Sequence, residues 1–177
     1  TTTGTLNAAT KSTGVGIDTM NAITTADEVT CVGYNAGGSI TGGQQNTCIG
    51  SDAGASVATG AGNVFVGAQA GKAVSGSSNV YVGYAIGSQA DGSQYNNVVV
   101  GYLSAGSLVG NTNTIIGYNT GNNITSGEGN LILTAGGVNA PSATDDLQLL
   151  IAANDGSNAV TWINGNADGN VEVATSW

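Results

Sequence analysis

Short apolar runs recur along the chain at a nearly constant interval, each closing on an aliphatic residue and a glycine: Cys31-Val32-Gly33, Cys48-Ile49-Gly50, Phe65-Val66-Gly67, Tyr81-Val82-Gly83, Val99-Val100-Gly101 and Ile115-Ile116-Gly117. These glycines are 17, 17, 16, 18 and 16 residues apart, with an earlier copy at Gly16 and a decayed one at Thr134. A fixed period of this kind marks a repeat architecture, in which each unit buries its apolar face only against its neighbours. Each period holds strand, glycine corner, short strand and a second corner. That is too short for a strand plus a crossover helix and too regular for a meander. The pattern predicts an all-β chain whose residues 15–134 form a parallel β-solenoid of about seven coils of 16–18 residues.

Two further glycine rows, Gly37, Gly54, Gly71, Gly87, Gly106 and Gly121, then Gly42, Gly60, Gly76, Gly92, Gly110 and Gly127, are expected at the corners. Glycine permits positive φ and close stacking there. The residue before each anchor glycine (Val32, Ile49, Val66, Val82, Val100, Ile116, Leu133) is expected to point into the coil. Opposite it stand Ile40, Val57, Val74 and Ile124, with small Ala36, Ala53, Ala70 and Ala105 near the corner. The residue one earlier faces the other way on a strand. It reads Cys31, Cys48, Phe65, Tyr81, Val99, Ile115 and Ile132, also apolar. Strands greasy on both sides expose more apolar surface than a monomer usually carries, so this second stripe is expected to lie between chains of a homotrimer.

Four residues before the anchors stand Asn46, Asn63, Asn79, Asn97, Asn113 and Asn130. Stacked amides of this kind can hydrogen-bond their equivalents in a ladder and satisfy turn backbone. The single glycosylation pattern, Asn123-Ile124-Thr125, lies outside that row.

Composition removes much chemistry. The 177 residues include 30 glycines and only thirteen charged side chains, two lysines and eleven acids, with no His and no Arg. There is no imidazole base or ligand and no guanidinium clamp. A net charge of −9 argues against nucleic acid, which needs many cations, and against an anionic membrane surface. No apolar run approaches the length of a membrane span. At 40% hydrophobic and a mean hydropathy of +0.09 the chain should nonetheless fold.

Candidate chemistry is sparse. Cys31 and Cys48 hold the same place in successive coils, within formal reach of a disulfide, and read either as two free apolar fillers or as a bridge. The acids Asp52, Asp91 and Glu128 occupy different repeat positions, and Asp145 and Asp146 sit in a loop near Pro141, the only proline. No metal site, cofactor or catalytic residue is predicted. Tyr34, Tyr84, Tyr102 and Tyr118 follow their anchor glycines, the last three in consecutive coils. Tyr84, Tyr102 and Tyr118 therefore read either as packing or as glycan contacts, since aromatic rings suit both.

The repeat NTxIGxxAGxxxxxG, as in NTCIGSDAGASVATG and NTIIGYNTGNNITSG, resembles bacteriophage tail-fibre and tailspike β-roll repeats and is similar to the head repeats of trimeric autotransporter adhesins. The resemblance covers about two thirds of the chain. It implies a left-handed β-roll associated in threes, and coils of 16–18 residues resemble the phage version more than the shorter adhesin one. The tail at 135–177 carries alternating runs around Leu147 to Ala152, Ala159 to Ile163 and Val171 to Ala174, separated by Asp155-Gly156 and Asp168-Gly169. These predict a small antiparallel meander capping the solenoid. Residues 1–14 are expected to be a linker or opposite cap. The resemblance implies a non-enzymatic virion fibre or spike segment, a rigid spacer and host-attachment element. Its expected partners are itself, other tail or fibre proteins and a host-surface glycan. A bacterial surface adhesin head is the alternative, with a polysaccharide-degrading spike further off.

Overall fold

The computed structural model describes residues 11–89, 92–155 and 157–174. Most of the expected linker at 1–14, together with Ala90, Asp91, Gly156 and the last three residues, lies outside them. Among the described residues there is no helix, hence none that could cross a membrane. Eleven strands form one sheet in sequence order: β1 (Thr13–Val15), β2 (Thr30–Val32), β3 (Thr47–Ile49), β4 (Val64–Val66), β5 (Val80–Tyr84), β6 (Val98–Tyr102), β7 (Thr114–Tyr118), β8 (Leu131–Ala135), β9 (Leu149–Asn154), β10 (Ala159–Gly165) and β11 (Val171–Val173).

Strands β1 to β9 pair in parallel with equivalent residues in register, Val66 on Val82 and Cys31 on Cys48 among them. The fold is therefore a parallel β-solenoid. Its eight laps advance about 38 Å at roughly 4.8 Å per strand spacing. The parallel stack runs one lap past residue 134, because Leu131, Ile132 and Leu133 align with Leu149, Leu150 and Ile151. Only then does the chain turn antiparallel, through β10 and β11, with a register shift between Thr161 and Ile163.

The strand facing is opposite to the sequence expectation. Cys31, Cys48, Phe65, Tyr81, Val99, Ile115 and Ile132, expected between chains, are fully buried inside the coil. Val32, Ile49 and Ile116, expected inside, are exposed on the outer face, and Val66, Val82, Val100 and Leu133 are half-buried there. The opposing wall is as expected: Ile40, Val57, Val74, Ile124, Ala36, Ala53, Ala70 and Ala105 are all buried. The inner strand column varies from Cys to Tyr because glycines across the coil make room for it. A Cβ on Gly54 would stand 2.6 Å from Cys48 Sγ, and one on Gly87 2.5 Å from the Tyr81 ring.

Glycine serves two different needs. The anchor row stacks backbone on backbone, so that a Cβ on Gly83 would lie 1.6 Å from the carbonyl oxygen of Gly101. The row of Gly37, Gly54, Gly71, Gly87 and Gly121 has φ near +60°, the left-handed region that costs other residues about 1–2 kcal/mol. Met20 and Ala105 adopt the same φ at their turns of this row, so Ala105 rather than Gly106 holds the strained corner. In the third row Gly43, Gly60, Gly76, Gly110 and Gly127 abut a carbonyl of the next lap or the following loop. Gly42 does not, and the lap containing Gly92 presents Gln94 to Gly76 instead.

The asparagine row holds the inner corner together. In each step the side-chain Oδ1 of one Asn accepts the backbone N–H and the Nδ2–H of the next, as Asn63 accepts from Asn79 at 3.0 and 3.1 Å. The chain of amides runs unbroken from Asn46 through Asn63, Asn79, Asn97 and Asn113 to Asn130. At Asn46, Asn63, Asn97 and Asn113 an Nδ2 hydrogen reaches the carbonyl oxygen of the glycine row, as Asn97 to Gly110 at 3.0 Å, and at Asn79 it reaches Gln94 O. All six asparagines are buried, and the ladder satisfies polar groups that would otherwise be stranded in a dry core.

Candidate binding surface

Because the alternating residue points inward, the outer face of every strand is built from the positions on either side of it. One outer column runs in register through all eleven strands: Val15, Val32, Ile49, Val66, Val82, Val100, Ile116, Leu133, Ile151, Ile163 and Val173. Every member is Val, Ile or Leu, and none is buried. The parallel column beside it is Thr13, Thr30, Thr47, Val64, Val80, Val98, Thr114, Leu131, Leu149, Gly165 and Val171. The stripe expected between chains, at the parity of Cys31, lies inside the coil, and the outward apolar positions are those of Val32 and its equivalents. Thr30, Thr47 and Thr114, polar and two residues before the aliphatic position, carried the signal that this parity faces outward.

A third outer row follows the anchor glycines. Backbone hydrogen bonds between successive laps, such as Asp52 N–H to Tyr34 O and Leu103 N–H to Tyr84 O, align Ile17, Tyr34, Ser51, Ala68, Tyr84, Tyr102 and Tyr118. Tyr84 and Tyr102 stack with ring centroids 5.1 Å apart and planes 21° apart, and Tyr102 and Tyr118 at 5.6 Å and 12°. The three candidate glycan contacts are thus brought together, but stacking covers both faces of Tyr102. Only the outer faces of Tyr84 and Tyr118 are open.

The next position along the chain has φ between +50° and +60° and is polar at Asp18, Asn35, Asp52, Gln69 and Asn119 but apolar at Ala85 and Leu103. Asp52 accepts from Asn35 Nδ2 at 2.7 Å and pairs with Lys72 Nζ at 3.4 Å. The Asn35 hydrogen bond, and secondarily Lys72, hold its carboxyl below the usual range. At the corner before β2, Glu28 is lowered likewise, first by Gln45 and then by Lys11, whose ammonium is 3.1 Å away.

The remaining candidates do not converge. Cys31 and Cys48 are free, buried thiols. The hydrogen bond to Cys31, and burial, push the Cys48 thiol well up. Asp91 lies outside the described residues. Asp52 and Glu128 stand four laps apart, about 19 Å at roughly 4.8 Å per lap, beyond the roughly 5–9.5 Å of a paired-carboxylate glycosidase. Glu128 accepts from Asn111 at 2.7 Å. Asp145 and Asp146 line a shallow cleft of about 220 Å³ with Pro141 and the β10–β11 turn. Asp146 is engaged there by the backbone N–H of Glu128. Among the described residues no three Cys, Asp or Glu side chains gather as metal ligands would. The Asn123 amide is held on both sides by the backbone of Ala140. No known family, curated protein or solved structure matches the chain.

Proposed function

We propose that this chain is a segment of a left-handed, homotrimeric β-solenoid fibre of a bacteriophage tail, a rigid spacer that also attaches the virion to its host surface. The observation that carries the reading is the aliphatic column of eleven in-register residues from Val15 to Val173. A ladder of Val and Ile on a solvent face is a surface without a use in a lone rod. Its members gain about 25 cal/mol per Å² of further apolar area buried, summed over the whole length of the stack. The face is regular, so identical copies related by a cyclic axis can cover one another along it, leaving no stripe exposed. The repeat's resemblance to trimeric β-rolls sets the number at three.

Stiffness follows from the same geometry. The lap-to-lap backbone hydrogen bonds and the asparagine ladder lie along the rod, so bending or stretching it breaks many bonds together. The antiparallel strands β10 and β11 occupy the edge of the last lap, which would otherwise offer unpaired backbone to another chain.

Light scattering after size-exclusion chromatography tests the assembly. Three times the 17.2 kDa chain mass is expected. Replacing Val82 and Val100 together with Asp, outside the coil, should yield monomers that keep their β circular dichroism. A wild-type monomer, or a trimer indifferent to both aspartates, would overturn the proposal.

A further inference from the structure

The lap between β5 and β6 is built differently from its neighbours. Its anchor glycines, Gly83 and Gly101, are 18 residues apart, whereas the intervals on either side are 16. The extra length falls in one corner. Corner glycine and wall residue are three apart for Gly37 and Ile40, Gly54 and Val57, Gly71 and Val74, and Gly121 and Ile124, but five apart here, at Gly87 and Gly92. Gly92 pairs in parallel with Val74, so it holds the wall position without an aliphatic side chain to fill it.

Gln94 fills that place instead. It stands where the neighbouring laps have Gly76 and Gly110, and its Nε2 is 3.9 Å from where a Cβ on Gly92 would be. Gln94 and Tyr81, the inward strand residue of the same lap, are both fully buried. Gln94 Nε2, Gln94 Oε1 and Tyr81 Oη have no hydrogen-bond partner in the protein, three of the five such side-chain atoms among the described residues. The unmet polar groups are thus concentrated in one lap, where an amide has entered an aliphatic column, and native interiors rarely leave such groups unpaired.

The two side chains meet at one corner. Burial raises the Tyr81 phenol, and the amide of Asn97, three residues past Gln94, opposes that rise, which places the hydroxyl beside the asparagine ladder. Asn97 spends its Nδ2 hydrogens on Asn79 Oδ1 and Gly110 O, so it has none left for Tyr81. What the corner lacks is a small neutral group that both donates and accepts. Gln94 needs an acceptor at Nε2 and a donor at Oε1, and a phenol hydroxyl can take either part. Water offers two donors and two acceptors in the smallest volume, and the longer contour of this lap gives it room.

From this geometry we infer that the interior of the lap between β5 and β6 is a binding site for one ordered water, which bridges the Gln94 amide and the Tyr81 hydroxyl. The water completes a lap that is too long for the side-chain pattern of its neighbours. Register survives the insertion: Val80 to Tyr84 still pair one-to-one with Val98 to Tyr102. The site lies within one chain and is independent of the assembly proposed above.

A high-resolution crystal structure of the full chain tests it. A water oxygen within about 2.5–3.2 Å of both a Gln94 amide atom and Tyr81 Oη is expected. A Gln94 amide bonded directly to protein groups, or no water touching both side chains, overturns the site. A double-mutant cycle in urea reads the same link in solution. Tyr81→Phe and Gln94→Met each remove the polar group and nearly keep the shape, so each alone leaves the water short of a partner and should lower the unfolding midpoint. Together they remove the need for the water, so the rise in the unfolding constant should fall about tenfold short of the product of the two single effects. Independent, multiplicative effects would show that the two groups share no partner and would also overturn the site.

Discussion

The ring of Phe65 occupies the space that a side chain on Gly71 would need. A Cβ on Gly71 would stand 2.5 Å from both Cδ1 and Cε1 of that ring, and Gly71 itself has φ +60°. The coil interior is therefore filled by pairs, a large residue on the strand and a glycine across from it. Gly71→Ala should lose about 1–2 kcal/mol from the left-handed backbone and a further 1–3 kcal/mol from overpacking. Gly62→Ala isolates the first contribution: its φ is +68°, but its nearest neighbour, Ser78 Oγ, is 3.9 Å away. Urea unfolding should rank Gly71→Ala clearly below Gly62→Ala. Equal losses would mean that the interior has slack.

Asn97 sits mid-ladder, and its removal strands several partners at once. Its Nδ2 donates to Asn79 Oδ1 and Gly110 O, while its Oδ1 accepts the backbone and side-chain N–H groups of Asn113. Asn97→Ala takes the partner from Gly110 O, from the Asn113 backbone N–H and from one Asn113 Nδ2 hydrogen, while Asn79 Oδ1 keeps the backbone N–H of residue 97, at about 1–3 kcal/mol for each group not recovered. A loss of at least about 3 kcal/mol is expected on that basis, against less than about 0.5 kcal/mol for the exposed Ser56→Ala. Hydrogen exchange should show the loss of protection concentrated in the laps on either side of Asn97.

The thiols of Cys31 and Cys48 are completely buried and unbridged. Native protein should resist alkylation without any reductant, and both residues should label once the chain is unfolded in urea. Mass spectrometry reads the result as zero additions before unfolding and two after. Labelling of the native chain would show laps opening around β2 and β3, and none in urea without reductant would reveal a disulfide.

How much of this was legible beforehand depends on what each signal measured. The period fixed lap length, register and the asparagine row, because in-register stacking repeats whatever the first copy dictates. Ile40, Val57 and Val74 were recognisable as core because no polar residue shared their position, whereas the position of Ala36, Ala53 and Ala70 also takes the buried polar Thr19, Ser104 and Thr120. Strand facing was not recovered: with Val32 and Cys31 both apolar, hydrophobicity could not orient a three-residue strand, and only the threonines at 30, 47 and 114 did so. The non-glycine residues with positive φ, such as Asn35, Asp52 and Gln69, were also hidden, since side-chain type alone marks that conformation weakly.

The pH profile of stability should be flat in the middle and fall on the alkaline side. With no His in the chain, no side chain has an ordinary titration between roughly pH 5 and 8. On the acid side Asp52 and Glu28 have lowered native pKa values. Their contribution is present above the unfolded carboxyl value, about 4, and fades as pH falls through the native one. Glu28 is exposed and Asp52 only half-buried, so solvent screening keeps this limb shallow. On the alkaline side Cys48 and Tyr81 are raised, Cys48 by its hydrogen bond to Cys31 and by burial, Tyr81 by burial. Each keeps its proton in the folded chain at a pH where the unfolded chain has released it, so the unfolded state binds fewer protons and stability declines as pH rises. The decline begins near the unfolded thiol value of about 8.5, at about 1.4 kcal/mol per pH unit, and steepens near the phenol value of about 10. Cys48→Ala should remove that thiol's share of the first step and leave the second. Urea midpoints measured across this range check it; a wild-type midpoint unchanged up to about pH 10 would mean that the Cys48 thiolate forms inside the folded coil as readily as in water.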